Sequence, residues 1–383
     1  METNHVGVDF TVHHHIVGLE ISKLRTLRGS FCRMTKMTRP LRTIINGNPF
    51  IALIGDVHAG RKFKTNVPLH RIGEREESIY DDLWAALTPV NAKIEQHFVI
   101  MGDLFDKFQV DNNTLMRVGT LLQRATGTGI NIHILRGNHD GSRDMTLISS
   151  FDVLRRLCSS NDRIFFHDFE RPTVVLDTKP LLVVALPYSS VLSAADMAEM
   201  LPTNNPAEVA FYALGHWDYT AHGEDTHNLV PMEVFKRKGV TKVFSGHIHK
   251  PQEYTVQGIP LKYVGSLQPY AHGEELPDEA LYQTHGKEET EELLAEDENY
   301  FADVNLRVLI PSGESWTADV PNCLSFQVKV LANNPDDADL SDLEVGYEEF
   351  STANIVNKNL VGVSSGLVEL VHQRLEHYRN LEN

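Results

Sequence analysis

The sequence predicts an α/β fold of layered strands and helices, on two observations. Short apolar runs recur, each ending in a turn that joins Gly to an acid or a His. They are residues 50–54 before GDVH, 97–101 before GDLFD, 132–135 before RGNHD, 211–214 before GHW and 242–244 before SGHIH. Runs of this length, rich in β-branched and aromatic residues, read as buried strands. Between the first three lie helical periodicities, at 74–87 and 113–125. Strand, helix, strand, helix is the pattern of an α/β layered domain. Open sheets of this kind place ligand sites just beyond the carboxyl ends of their strands, where all five turns fall.

The rest of the chain divides less sharply. Residues 163–188 add strand-like segments, and 254–264 read as a hairpin around Gly258. An acidic run at 274–298 is expected as a solvated loop or helix. Alternation resumes at 300–332 (Val304, Leu306, Val308; Phe326, Val328, Val330), as in a small β-rich unit. Apolar residues at 367, 370, 371, 375 and 378 form a helical stripe. Residues 1–45 lack sustained periodicity. The expected partition is an N-terminal extension (1–45, poorly ordered), a main domain (46–273), an acidic segment with a small second domain (274–345), and a helical tail that could dock a partner (346–383).

Composition narrows the class. Of 383 residues, 42% are hydrophobic and 23% charged, as in ordinary water-soluble domains. No apolar run reaches the roughly 18 residues that a membrane span needs. Cys32, Cys158 and Cys323 are too few and too scattered for a disulfide framework or a zinc site, so a reducing, cytoplasmic setting is expected. The net charge of −17 is local in origin. Residues 274–298 carry eleven acids and one Lys, and 336–349 carry seven acids and no base, which accounts for the whole imbalance. Residues 23–42 run the other way, with seven Lys or Arg and no acid. Phosphate backbones are bound by local patches, so the acidity does not exclude nucleic acid.

The turns carry the chemistry. The candidate metal ligands are Asp56 and His58 (GDVH), Asp103 (GDLFD), Asn138 (GNHD), His216 (GHW), and His247 and His249 (GHIH). Carboxylates, imidazoles and one amide oxygen, with no thiolate, suit divalent ions such as Mn²⁺ better than a soft metal. Residues i and i+2 at a strand end point to one side, so D-x-H and H-x-H can each grip one cluster. A carboxylate such as Asp103 can bridge two cations about 3.5–4 Å apart, which could activate water and clamp a phosphodiester. His139, beside Asn138, is placed to protonate a leaving oxygen, with Asp140 expected to hold its ring. Arg61, Lys62, Lys64 and Arg71 follow the first turn as candidate phosphate contacts. A Gly-Asp turn alone is commonplace; five such segments in order, each at a strand end, are not.

In this order the motifs resemble the calcineurin-type metallophosphoesterases. GDLFD is similar to the SbcD-type break-repair nucleases, and GHWDY followed by SGHIH and YVGSLQPYAHGEE resembles the bacteriophage recombination nuclease of that family. The resemblance spans roughly residues 50–273. It implies a calcineurin-like α/β/α sandwich of two sheets with a smaller C-terminal capping domain. It implies one metal held by Asp56, His58, Asp103 and His249, and another by Asp103, Asn138, His216 and His247. His139 would face the phosphate, and Asp106 matches the last position of GDLFD. The resemblance further implies Mn²⁺-dependent DNA exonuclease and single-strand endonuclease activity, a homodimer, and an SbcC-type coiled-coil ATPase partner. The rival reading is a phosphodiesterase or phosphatase of the same fold acting on nucleotides or phosphoproteins. GNHD and the lack of a D-R-G motif disfavour the protein phosphatases.

Overall fold

The computed structural model describes residues 41–331 except 46–49, 90–94, 143, 145–146, 169, 179, 206, 220–226 and 278. The expectations for 1–40 and 332–383, the terminal helical stripe and second acidic run included, lie outside the described residues.

Among the described residues one sheet has the order β1 (Thr43–Ile45), β2 (Phe50–Ile54), β3 (Glu95–Ile100), β4 (Asn131–Leu135) and β5 (Ile164–His167), with β2 to β5 parallel. A second has the order β10 (Gln252–Val256), β11 (Ile259–Tyr263), β9 (Lys242–Ser245), β8 (Ala210–Gly215), β7 (Leu181–Leu186) and β6 (Thr173–Thr178). The two sheets pack face to face. Ile51, Leu53, Val99, Met101 and Leu135 of the first interdigitate with Val183, Ala185, Leu214 and Phe244 of the second. Each strand turns its alternate residues outward, onto helices. Ala52, Ile54, Phe98, Ile100, Ile132 and Ile134 meet α1 (Glu74–Leu87), α2 (Asn112–Thr126) and α3 (Ser150–Leu157). Phe211, Ala213 and Val243 meet α4 (Ala194–Glu199) and α5 (Met232–Lys238). Burial on both faces explains why these strands are apolar runs rather than alternating ones. The fold is the mixed α/β sandwich expected, helices outside and two sheets within.

Local chemistry sets the element ends. Asp111 caps α2 by accepting the Thr114 N–H at 2.9 Å. Ser149 and Asp152 form a reciprocal capping box on α3. Gly239 ends α5 in the left-handed conformation, after Lys236, Arg237 and Lys238 in the last turn.

One expectation about segment boundaries needs correction. Thr43–Ile45, expected in a poorly ordered extension ending at 45, pairs antiparallel with Ile51–Leu53 as edge strand β1. Arg42 secures this entry by donating to the Ala86 and Thr88 carbonyls. The acidic run carries the expected solvated helix, α6 (Lys287–Glu296), and in addition a strand, β12 (Tyr282–Gly286). With β13 (Asn305–Ile310) and β14 (Ser325–Val330), β12 forms a parallel sheet of order β12-β13-β14 over its own core of Phe301, Val304, Leu306 and Val308. The predicted hairpin at 254–264 is β10 and β11, paired from Gln252↔Tyr263 to Val256↔Ile259.

Candidate metal centre

The carboxyl ends of five parallel strands meet above the seam between the sheets. The turn after β2 brings Asp56 and His58, that after β3 Asp103, and that after β4 Asn138 and His139. From the other sheet, the turn after β8 brings His216, and that after β9 brings His247 and His249. Three of these residues hold left-handed backbones, His58 (φ 49°), Asp103 (φ 47°) and His247 (φ 77°). Such conformations cost non-glycine residues energy and cluster where side chains must be aimed. The preceding glycines are steric requirements. A Cβ on Gly102 (φ +108°) would lie 2.2 Å from His216 Nδ1, and one on Gly137 would lie 2.1 Å from Asp103 Oδ1.

The donors form overlapping groups whose ligand atoms lie within 4.8 Å of one another: Asp56–His58–His249, His58–Asp103–His139 and Asp103–His216–His247. Asp103 joins the groups. Its Oδ1 accepts the His139 N–H at 2.9 Å, while its Oδ2 is buried with no hydrogen-bond partner. That oxygen faces imidazole nitrogens, His216 Nε2 at 3.3 Å and His58 Nε2 and His139 Nε2 each at 3.9 Å. His216 Nδ1 donates to the Met101 carbonyl at 3.0 Å, which turns Nε2 toward Asn138 Oδ1 at 2.9 Å. His247 Nδ1 lies 3.2 Å from the same Asn138 oxygen. On the other side, His58 Nε2 and His249 Nε2 are 3.0 Å apart, with Asp56 Oδ2 3.8 Å from the latter. A bare buried carboxylate oxygen amid converging imidazole and amide donors fits two divalent cations that share Asp103.

The electrostatics show the strain of these groups standing together. Burial pushes the Asp56 carboxyl up to about 6. Burial would raise Asp103 as well, but the His216, His139 and His58 imidazoles outweigh it and hold the carboxyl far below the usual range. Burial opposes the charge on His216, yet the Asp103 and Asp56 carboxylates raise it to about 10. Burial and the nearby His216 lower His247 to about 3.

The remaining predicted site residues fall in several places. Asp106 uses its main-chain carbonyl to fix His139, whose Nδ1 lies 2.8 Å from it, and pairs its carboxylate with Arg61 at 3.2 Å. Asp140 does not hold the His139 ring, contrary to expectation. Its carboxylate accepts the Gly137, Phe105 and Leu104 N–H groups at 2.9, 3.0 and 3.3 Å, because it is buried beneath the loops. It ties the second motif to the third, and burial with the Asp103 charge pushes it up to about 7. Arg61 sits at the mouth, its guanidinium 5.0 Å over the Tyr270 ring. Lys62 and Lys64 are exposed on the same loop. Arg71 is removed from the phosphate-contact set. It is engaged by Glu74 at 2.5 Å, Asp303 at 2.7 Å and the Asn322 carbonyl, so it fastens the 282–330 sheet unit to the main domain.

Sequence reasoning missed two neighbours of the centre. Glu274 meets His249 Nδ1 at 2.9 Å, and the Tyr270 ring packs edge-on against His58 and His249, centroids 5.2 and 5.6 Å away. Both lie in the segment YVGSLQPYAHGEE, where no strand-end turn joins Gly to a ligand pair as it does at the other motifs.

Comparison with known proteins supplies the family. The model of the calcineurin-like phosphoesterases matches residues 51–251. The chain belongs to that family. No curated protein matches. Among solved structures, a dimetal phosphatase from Danio rerio is similar at 13% identity, covering 57% of this chain and 87% of that one with a TM-score of 0.36. The protein TT1561 of Thermus thermophilus is similar at 10% identity, covering 49% and 84%, TM-score 0.32. Phosphopantetheinyl hydrolase from Mycobacterium tuberculosis is similar at 12% identity, covering 59% and 98%, TM-score 0.32. As a calcineurin-like phosphoesterase the chain is a metal-dependent hydrolase of phosphoesters. All seven candidate ligands fall within the matched span, whereas Glu274 lies beyond it. No helix among the described residues is long and apolar enough to cross a membrane.

Proposed function

We propose that this phosphoesterase is a two-metal DNA nuclease, an exonuclease and single-strand endonuclease that processes DNA ends in recombination, repair and replication. In this reading it is the nuclease subunit of an SbcCD-type complex, a homodimer joined to a coiled-coil ATPase in the cytoplasm, or the host cytoplasm if phage-encoded. The wording of the motifs supports the substrate: GDLFD, GNHD and GHWDY are similar to the break-repair nucleases. One cation would be held by Asp56, His58, Asp103 and His249, and the other by Asp103, Asn138, His216 and His247. Bound there, two divalent ions, Mn²⁺ by expectation, supply Lewis acidity to the phosphoryl oxygens and lower the pKa of water.

The observation that carries the reaction is the contrast between His139 and its neighbours. Its side chain is 27% exposed, whereas Asp103 and His216 are wholly buried. The Asp106 carbonyl engages Nδ1 and so leaves Nε2 on the cleft side, beside Asp103. From there His139 meets the scissile phosphate and gives a proton to the leaving oxygen. Arg61, Lys62 and Lys64 on the adjoining loop bind flanking phosphates.

The test is digestion of end-labelled duplex and single-stranded DNA with Mn²⁺, run beside a cyclic nucleotide and an aryl phosphate. DNA cleavage far above the other two supports the reading. Turnover confined to the small esters replaces it with the nucleotide phosphodiesterase or phosphatase alternative.

A further inference from the structure

We propose that Glu274 is a positioning residue for the metal centre. It sets the ring orientation and tautomer of His249, and so makes the C-terminal segment part of the site. The inference rests on the reading of Asp56, His58 and His249 as cation ligands.

An ionised carboxylate can only accept hydrogen bonds. Glu274 Oε1 lies 2.9 Å from His249 Nδ1, so that nitrogen carries the proton. Nε2 then presents its lone pair to the cleft, where His58 Nε2 is 3.0 Å and Asp56 Oδ2 3.8 Å away. The other carboxylate oxygen is also committed, since Oε2 accepts the Tyr270 N–H at 2.7 Å. Tyr270 is in turn fixed from two directions. Its hydroxyl donates to the Val57 carbonyl, between Asp56 and His58, and its own carbonyl accepts the Tyr282 hydroxyl of β12 at 2.8 Å. Glu274 is only 12% exposed, unlike most acids that follow it. A chain of contacts therefore runs from the third sheet through Tyr282, Tyr270 and Glu274 to His249. Carboxylates that hold a ligand imidazole in this way raise metal affinity by roughly 10- to 100-fold.

The test measures metal binding, by Mn²⁺ titration calorimetry with metal counted after dialysis, on the full chain and on Glu274→Ala, Glu274→Gln, Glu274→Asp and His249→Ala. Expected are two sites in the parent, with one weakened about 10- to 100-fold in Glu274→Ala and the other unchanged. Glu274→Gln keeps one acceptor oxygen for two donors and falls between. Its unfolding midpoint near that of the parent separates the effect from misfolding. Unaltered binding in Glu274→Ala and Glu274→Gln, with His249→Ala weakened, overturns this inference alone. A parent that binds no ion, or His249→Ala that binds as the parent does, overturns the cation site and this inference with it.

Discussion

Asp103 and His216 meet across the seam of the molecule: Oδ2 of one, hung from the first sheet, lies 3.3 Å from Nε2 of the other, hung from the second. Asp103→Ala and His216→Ala should each abolish metal-dependent phosphoesterase turnover, by roughly a thousand-fold or more, since several kcal/mol of transition-state stabilisation pass through the pair. Their circular dichroism should stay native. His139→Asn should behave differently, binding metal as the parent does while losing about 10²- to 10⁴-fold in turnover. Activity retained in Asp103→Ala, in preparations freed of contaminating enzyme, rules the site out.

Gly102→Ala places a methyl group 2.2 Å from the His216 ring on a backbone with φ +108°. The loop must shift, and it carries Asp103. A loss of about 1–3 kcal/mol is expected, with metal affinity falling in step. Urea unfolding with and without Mn²⁺ measures both. A variant as stable and as metal-avid as the parent contradicts the close approach.

Acid should weaken the fold through a ladder of three histidines. His97 Nδ1 lies 3.0 Å from His133 Nε2, and His133 Nδ1 lies 3.0 Å from His167 Nε2, across β3, β4 and β5. Burial holds His133 well below its ordinary 6.5 and lowers His167 to about 4. The unfolded chain therefore takes up protons below pH 6.5 that the folded chain refuses. The stability is fully present above that pH and is lost as pH falls toward 4, at about 1.4 kcal/mol per pH unit for each proton. His133→Leu should flatten the dependence of unfolding free energy between pH 7.5 and 5. Equal slopes in parent and variant would show that the ladder does not titrate.

Arg61 and Arg71 separate two roles that look alike in sequence. On the DNA reading, Arg61→Ala should weaken binding and reduce the salt dependence by about one counterion. Arg71→Ala should leave both nearly unchanged, because its guanidinium is spent on Glu74, Asp303 and the Asn322 carbonyl. It should instead loosen the 282–330 unit, seen as faster limited proteolysis there. Equal losses of DNA affinity would return Arg71 to the binding surface.

These contrasts show what the sequence could carry. Helix α1 is legible to the residue at 74–87, and α2 to within one residue at each end, because a two-sided core writes its period into the chain. The ligand turns are legible because strand ends and chemical type coincide at Asp56, Asp103, Asn138, His216 and His247. Strand β1 escapes notice although Asn46–Gly47 is a hairpin signal, since an edge strand of three residues has no period of its own. The job of Asp140, the engagement of Arg71 and the contact of Glu274 with His249 depend on partners up to 251 residues away. No local pattern encodes those distances.

The packing of one sheet on the other has a mechanical corollary. Filling between the layers, by Leu53, Met101, Leu214 and Phe244, sets how far the strand tips of each stand from the other's. Sliding one layer by even an ångström would pull His216 and His247 away from Asp103 and Asp56. Ion occupancy is therefore a gauge of alignment deep in the interior, and a captured pair of ions would rivet the layers against shear.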